Sequence, residues 1–172
     1  MSSVAATVKV VVAYSDDQNH RFLIKRIWDD SRPKAAIIML SPSRTADAIA
    51  MDMTSMFVVN NCHAQGFGSV NIMNIYSGMD EGFESMPEND KTIVDVCNDM
   101  DTIVLAWGKG VAHKKKVVKR IEEVLKLLKP FEKKLVEISD GEDAGFHPLG
   151  KTVRLKWQLV PAKLGKPEKP GK

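Results

Sequence analysis

The sequence contains only two cysteines, so a disulfide framework is excluded as the basis of the fold. Cys62 and Cys97 also lack the spacing of zinc ligands, and no pattern predicts a metal or another cofactor. Their scarcity favours a reducing compartment, so we expect a cytoplasmic protein. No apolar run approaches the roughly 18 residues that a membrane span needs. The apolar stretch 4–14 is interrupted by Lys9 and lacks a basic leader, which favours a strand over a signal peptide.

A large net charge is also missing, because the chain carries only +3 over 172 residues. The charge is unevenly spread, however, with a net of −6 over residues 1–108 and +9 over residues 109–172. A basic C-terminal part favours a polyanionic partner such as DNA or a nucleotide. The alternative is a solvated helix face followed by a lysine-rich tail.

The length suits one domain, which we place at residues 1–160. Residues 161–172 are rich in Pro, Gly and Lys and predict a disordered basic tail.

Apolar runs of strand length alternate with helical patterns along the chain, which predicts an α/β fold. We expect a three-layer α/β/α sandwich with a mostly parallel central sheet, helices on both faces and an N-terminal antiparallel hairpin. The expected strands cover residues 8–14 and 21–28 for the hairpin, then 35–40, 69–76, 102–107 and 134–139; the expected helices cover 51–65, 87–100 and 111–129.

Polar residues, glycines and a histidine follow the predicted core strands. Ligands of open parallel sheets bind outside the carboxyl ends of the strands, so these residues predict one pocket. The candidates are Ser41, Pro42, Ser43, Asp47, Asp52 and Thr54 after the first core strand, Asn74 and Tyr76 after the second, Trp107, Gly108 and Lys109 after the third, and His147 after the fourth.

Each candidate also has a structural interpretation, which the sequence leaves open. Ser41 and Ser43 are typical of turns, and Asp47 and Asp52 are typical of helix starts. A lone histidine is more often structural than catalytic.

Six strings carry a family resemblance: IIMLSPSRTAD, DMTSM, NIMNIYS, PENDKTI, AWGKG and HPL. In this order they resemble domain-of-unknown-function family 1643, a family of bacterial and phage proteins, from about residue 21 to residue 149. Asn89, within PENDKTI, joins the candidate ligand-binding residues.

The layout is also similar to that of the uracil-DNA glycosylase superfamily, with a Pro-containing loop, a strand ending in Trp-Gly and a His-Pro loop. This resemblance implies a short parallel sheet between helices. It also implies that Pro42 lies in the loop that positions a water and that His147 faces the base.

Three functions remain open. The first is a binding module for a nucleic acid or nucleotide, with a glycosylase-like pocket. The second is a hydrolase of N-glycosidic bonds, in which Asp52 or Asp47 orients water, His147 contacts the base, Asn74 assists and Tyr76 or Trp107 stacks on the base. The third is a regulatory protein of phage or host that binds a protein partner. In the first, phosphate contacts would come from Lys109, Lys114, Lys115, Lys116, Lys119 and Arg120.

Overall fold

The computed structural model of the chain describes residues 1–79, 83–111 and 113–163. In this part, seven strands form one sheet and three α-helices connect its strands, so the predicted α/β class is confirmed. The elements are β1 (Lys9–Tyr14), β2 (Arg21–Ile27), β3 (Lys34–Met39), α1 (Met53–Ala64), β4 (Ser69–Asn74), α2 (Pro87–Asn98), β5 (Thr102–Leu105), α3 (Lys115–Leu128), β6 (Leu135–Ser139) and β7 (Gln158–Pro161).

The strand order in the sheet is β1-β2-β4-β3-β5-β6-β7. As predicted, β4, β3 and β5 are adjacent and parallel, and β6 continues this parallel set. The N-terminal hairpin of β1 and β2 is also confirmed.

The expectation of a mostly parallel sheet is wrong, because three of the six strand pairs are antiparallel. Two of these pairs involve β2, which lies between β1 and β4 and runs antiparallel to both. Another comes from β7, which the sequence analysis missed because its four residues border the polar tail. The tail expected at residues 161–172 lies outside the described residues from position 164 onward, and Pro161 is the last residue of β7.

The alternation of side chains along β3 places helices on both faces of the sheet. Ile37 packs in one apolar cluster with Val58 of α1, whereas Ile38 packs in a second cluster with Ile93 of α2 and Val124 of α3. All five side chains are fully buried, and burying each of them contributes about 1.5–3 kcal/mol. We refer to these sides as the α1 face and the α2/α3 face.

The helix predicted over residues 111–129 begins only at Lys115. A short 3-10 turn, Lys109–Val111, precedes it, and Lys114 has an extended backbone. The other two helices, α1 and α2, are each shorter than predicted. Within the described residues, no helix is both long enough and apolar enough to cross a membrane.

Candidate functional site

The loops that follow β3, β5 and β6 meet at the carboxyl edge of the parallel strands. The start of β2 lies at the same edge, because β2 runs antiparallel to β4; the backbone N–H of Arg21 donates to the carbonyl of Ser77 at 2.9 Å. The edge therefore gathers residues from five separate parts of the chain, as expected for a site in an open α/β sheet.

Two buried arginines of β2 hold the first loop, which we define as residues 41–52. Nη1 of Arg21 donates to the carbonyls of Ser43 and Ala46 at 2.8 and 2.7 Å. Nη2 of Arg26 donates to the carbonyl of Asp47 at 2.9 Å. The two arginines are only 4% and 5% exposed, and burial lowers the pKa of both guanidinium groups. Their bonds to backbone carbonyls set the path of the first loop.

Sequence reasoning missed these two arginines. A charged residue in an apolar strand such as RFLIKRI is expected on the solvent side of that strand. Arg21 and Arg26 are buried because the first loop folds over them.

The two acidic candidates of the first loop both have structural roles. Asp52 is the N-cap of α1, and its Oδ1 accepts the backbone N–H of Ser55 at 2.7 Å. Asp47 is exposed, and its Oδ1 accepts the N–H groups of Ile49 and Ala50, which lowers the pKa of the Asp47 carboxyl. The cap uses one carboxylate oxygen of Asp52, so its charge can still act at the site.

His147 is half-buried and has a defined tautomer. Its Nδ1 accepts the backbone N–H of Leu149 at 3.2 Å, so in the neutral ring the proton is on Nε2. Burial lowers the pKa of His147, while the nearby carboxylate of Asp52 acts in the opposite direction. Since the net shift is downward, the imidazole is neutral at neutral pH and offers Nε2–H as a donor.

Two glycines leave room for the segment that carries His147. Gly108 has a φ of +84°, and a Cβ on it would lie 3.0 Å from the Cβ of His147. A Cβ on Gly150 would lie 2.9 Å from Cγ2 of Val153 and 3.0 Å from the carbonyl oxygen of His147. The loop after β5 therefore packs directly against His147.

Asn74 is the last residue of β4 and is 2% exposed. Its Nδ2 has no hydrogen-bond partner among the described residues. By the alternation of a strand, Asn74 shares the side of Ile72, which packs in the cluster of the α1 face. The same face carries Asp52 at the start of α1. A buried donor without a partner costs about 1–3 kcal/mol, and this N–H can therefore stabilise a ligand that offers it an acceptor.

Asn89 and Tyr76 belong to the α2/α3 face instead. Nδ2 of Asn89 donates to the carbonyls of Asn74 and Ile75 at 2.9 and 3.4 Å, so this side chain fixes the chain at the end of β4. The hydroxyl of Tyr76 donates to the carbonyl of Lys116 at 3.3 Å, and the ring is buried. Tyr76 therefore has no open ring face on which a base could stack.

The remaining candidates after the first and third core strands differ in exposure. Pro42 is buried and Ser41 is exposed, while Ser43, Thr54 and Trp107 are half-buried. Trp107 packs at the border of the α2/α3 cluster, so its ring is only partly available to a ligand.

The lysines at the start of α3 lie at the surface. The first turn of α3 has no acidic residue and no side-chain cap, so the turn as a whole carries a net positive charge. Lys119 pairs weakly with Glu123 at 3.9 Å. The exposed lysines of this group are Lys114, Lys115, Lys116 and Lys119.

Arg120, also expected to contact phosphate, is engaged inside the fold. Its Nε donates to the carbonyl of Ile75 at 2.9 Å, and its Nη1 donates to Asp90 at 3.1 Å. Arg120 therefore joins α2, α3 and the end of β4.

In residues 1–79, 83–111 and 113–163, no group of three or more His, Cys, Asp or Glu side chains could hold a metal ion. A protein-family model described as a protein of unknown function, DUF1643, matches residues 21–149. No curated protein matches the chain, and no solved structure matches it.

Proposed function

Because the chain belongs to the DUF1643 family, whose function is unknown, we propose that it is a binding module for a nucleic acid or a nucleotide. A base would enter at the carboxyl edge, between Asp52, Asn74 and His147. The observation that carries this proposal is the buried Nδ2 of Asn74, which has no partner among the described residues and lies on the same face as Asp52.

The hydrogen-bonding capacity of the three side chains matches the edge of a pyrimidine base. Asn74 and the neutral His147 each offer an N–H donor, and the Asp52 carboxylate offers an acceptor. A pyrimidine such as uracil presents two carbonyl oxygens and one ring N–H, which complement two donors and one acceptor. The match supports a base as the ligand.

The lysines at the start of α3 would supply the phosphate contacts of such a ligand. Lys114, Lys115 and Lys116 are exposed, and the helix start adds the positive end of its dipole. Lys109 and Arg120 are not part of this set: Lys109 forms an ion pair with Asp143, and Arg120 forms one with Asp90.

The proposal includes the finer fold assignment, a three-layer α/β/α sandwich similar to uracil-DNA glycosylases. Four parallel strands in the centre of the sheet and helices in both apolar clusters support it. The position of the His-Pro segment after β6 agrees with the same layout.

The decisive experiment compares Asn74→Leu with the wild type. Leucine has the same number of side-chain heavy atoms in the same branched arrangement and removes a donor that has no partner among the described residues, so the free energy of unfolding should stay the same or rise. Binding of a fluorescent single-stranded oligonucleotide, or of uridine monophosphate, should fall at least about tenfold if the amide contacts the base. If the wild type binds neither ligand at low salt, the proposal is wrong.

A hydrolase of N-glycosidic bonds is the second candidate, favoured by the second carboxylate oxygen of Asp52, which the helix cap does not use. Asp52 would orient water towards the sugar carbon, and His147 would stabilise the departing base. Release of base from a uracil-containing oligonucleotide, abolished in Asp52→Asn, would support this reaction. Binding without release would leave the binding module as the function, and capture of a protein partner alone would favour a regulatory role.

A further inference from the structure

Lys109 follows Gly108 after β5, and its ammonium group is already occupied. Nζ forms an ion pair with Asp143 and lies 4.6 Å from the centroid of the Phe146 ring. Asp143 and Phe146 both belong to the loop that follows β6, which we call the His147 loop (residues 140–150). Lys109 therefore holds the His147 loop at two points, one through its ion pair and one through its cation–π contact.

The contact between the two loops is reciprocal. Gly145 has a φ of +84°, and a Cβ on it would lie 3.8 Å from Cγ and from Cε of Lys109. Gly108 has the same φ of +84° and lies against the Cβ of His147. Each loop thus places a glycine against a residue of the other loop, Gly145 against the stem of Lys109 and Gly108 against the Cβ of His147. A shift of either loop would move both Lys109 and His147.

We propose that Lys109 is a positioning residue that holds His147 at the carboxyl edge, rather than a residue that contacts phosphate. The ion pair with Asp143 and the contact with Phe146 fix the His147 loop, and the two glycine contacts transmit that placement to the ring. The value of this placement to a ligand rests on the proposed function, but the placement itself can be measured without any ligand.

The test follows the imidazole resonances by NMR in the free protein, with the His147 signals assigned from His147→Gln. In Lys109→Ala the loop should loosen and the ring should gain water contact. Because burial lowers the pKa of His147, the titration midpoint should move upward, towards that of an exposed imidazole. The charge that acts on the ring is that of Asp52, which these variants leave unchanged.

Lys151→Ala is the matched control, because Lys151 is an exposed lysine in the turn that follows His147. The control should leave the His147 midpoint where it is in the wild type. If Lys109→Ala moves the midpoint no further than Lys151→Ala does, the positioning role is wrong. If Lys109→Ala fails to fold, Lys109→Met answers the same question, since it keeps the aliphatic stem against Gly145 and removes the charge.

Two further measurements separate this role from a phosphate contact. The double variant Lys109→Asp with Asp143→Lys keeps the ion pair with its charges exchanged. Its His147 titration midpoint should therefore lie between those of Lys109→Ala and the wild type. On a single-stranded oligonucleotide, Lys109→Ala should weaken binding without changing the slope of log K against log salt. A phosphate contact would instead reduce that slope by about 0.7. If the wild type binds no oligonucleotide, the proposed function fails, while the NMR result still decides the role of Lys109.

Discussion

The two sides of the carboxyl edge are built in opposite ways. On one side, Asp52, Asn74 and His147 are held by backbone hydrogen bonds, burial and glycine contacts. At the start of α3, Lys114 and Lys115 are exposed and lie in a turn without acidic residues. A fixed set of donors and acceptors can discriminate between ligands, whereas exposed surface charges attract any polyanion. The comparison predicts that changes on the first side act on stability and selectivity, and changes on the second act on affinity and its salt dependence.

The largest effect on the free energy of unfolding is expected for Arg21→Leu, which tests how strongly Arg21 stabilises the first loop. The change leaves the carbonyls of Ser43 and Ala46 without their buried donor. The free energy of unfolding, measured by urea denaturation, should fall by about 3 kcal/mol. Lys115→Ala should change it by less than about 0.5 kcal/mol, because it alters only the exposed side. Equal effects of the two changes would contradict the comparison.

A second test concerns the packing between the loops after β5 and β6. Gly108→Ala should lower the free energy of unfolding by about 1–3 kcal/mol, because of the positive φ and the 3.0 Å approach of His147. In a protein that already carries His147→Gly, the change Gly108→Ala should lower the free energy of unfolding by less, since only the backbone strain remains. A double-mutant cycle by urea denaturation measures the difference. If the two changes in the free energy of unfolding are fully additive, a side chain at position 108 does not clash with His147.

The third test changes only the exposed side. The triple change of Lys114, Lys115 and Lys116 to Ala should weaken binding to single-stranded oligonucleotides by roughly a factor of ten, whatever their sequence. The slope of log K against log salt should become shallower by about 0.7 for each phosphate that the protein no longer neutralises. Fluorescence anisotropy over a series of salt concentrations measures both quantities. Weaker binding to one base sequence alone would show that the lysines take part in selectivity, against the comparison.

The smallest effect is expected from the titration of His147. Its pKa is lower in the folded protein than in the unfolded chain, because burial disfavours the charged ring. Protonation therefore favours the unfolded chain. The free energy of unfolding is therefore highest above the ordinary histidine pKa of about 6.5, and it decreases as the pH falls through the folded-state pKa of His147. Unfolding curves of the wild type and of His147→Ala should converge in this range, and parallel pH profiles would exclude a buried neutral ring.

The sequence predicted the central strands because their apolar runs are continuous. The run AAIIML predicted β3 within one residue at each end. The single pocket expected after the strands stays a prediction, in which Gly108 lies against His147 and Asp52 acts on the pKa of His147. Strand β7 was missed, since Gln158–Pro161 contains only two aliphatic residues beside a polar tail.

The roles of charged residues could not be predicted in the same way. Lys109 and Arg120 were assigned to phosphate because a sequence shows their charge but not their partners, Asp143 and Asp90, which lie far away along the chain. Arg21 carried no signal at all, because its burial depends on a loop that folds over it. The local spacing of apolar residues can be recognised in one sequence, whereas ion pairs between residues far apart in the chain become apparent only in the folded structure.

The position of β3 between β4 and β5 has a consequence for the folding pathway. Both neighbours of this strand come later in the chain, so β3 cannot complete its pairing until Thr102–Leu105 has been added. Parallel pairs of this kind require the closure of long loops before any contact energy is gained, which slows folding. Until then one edge of β3, whose residues 35–39 are apolar, stays unpaired, and exposed apolar strand edges of this kind favour aggregation during folding.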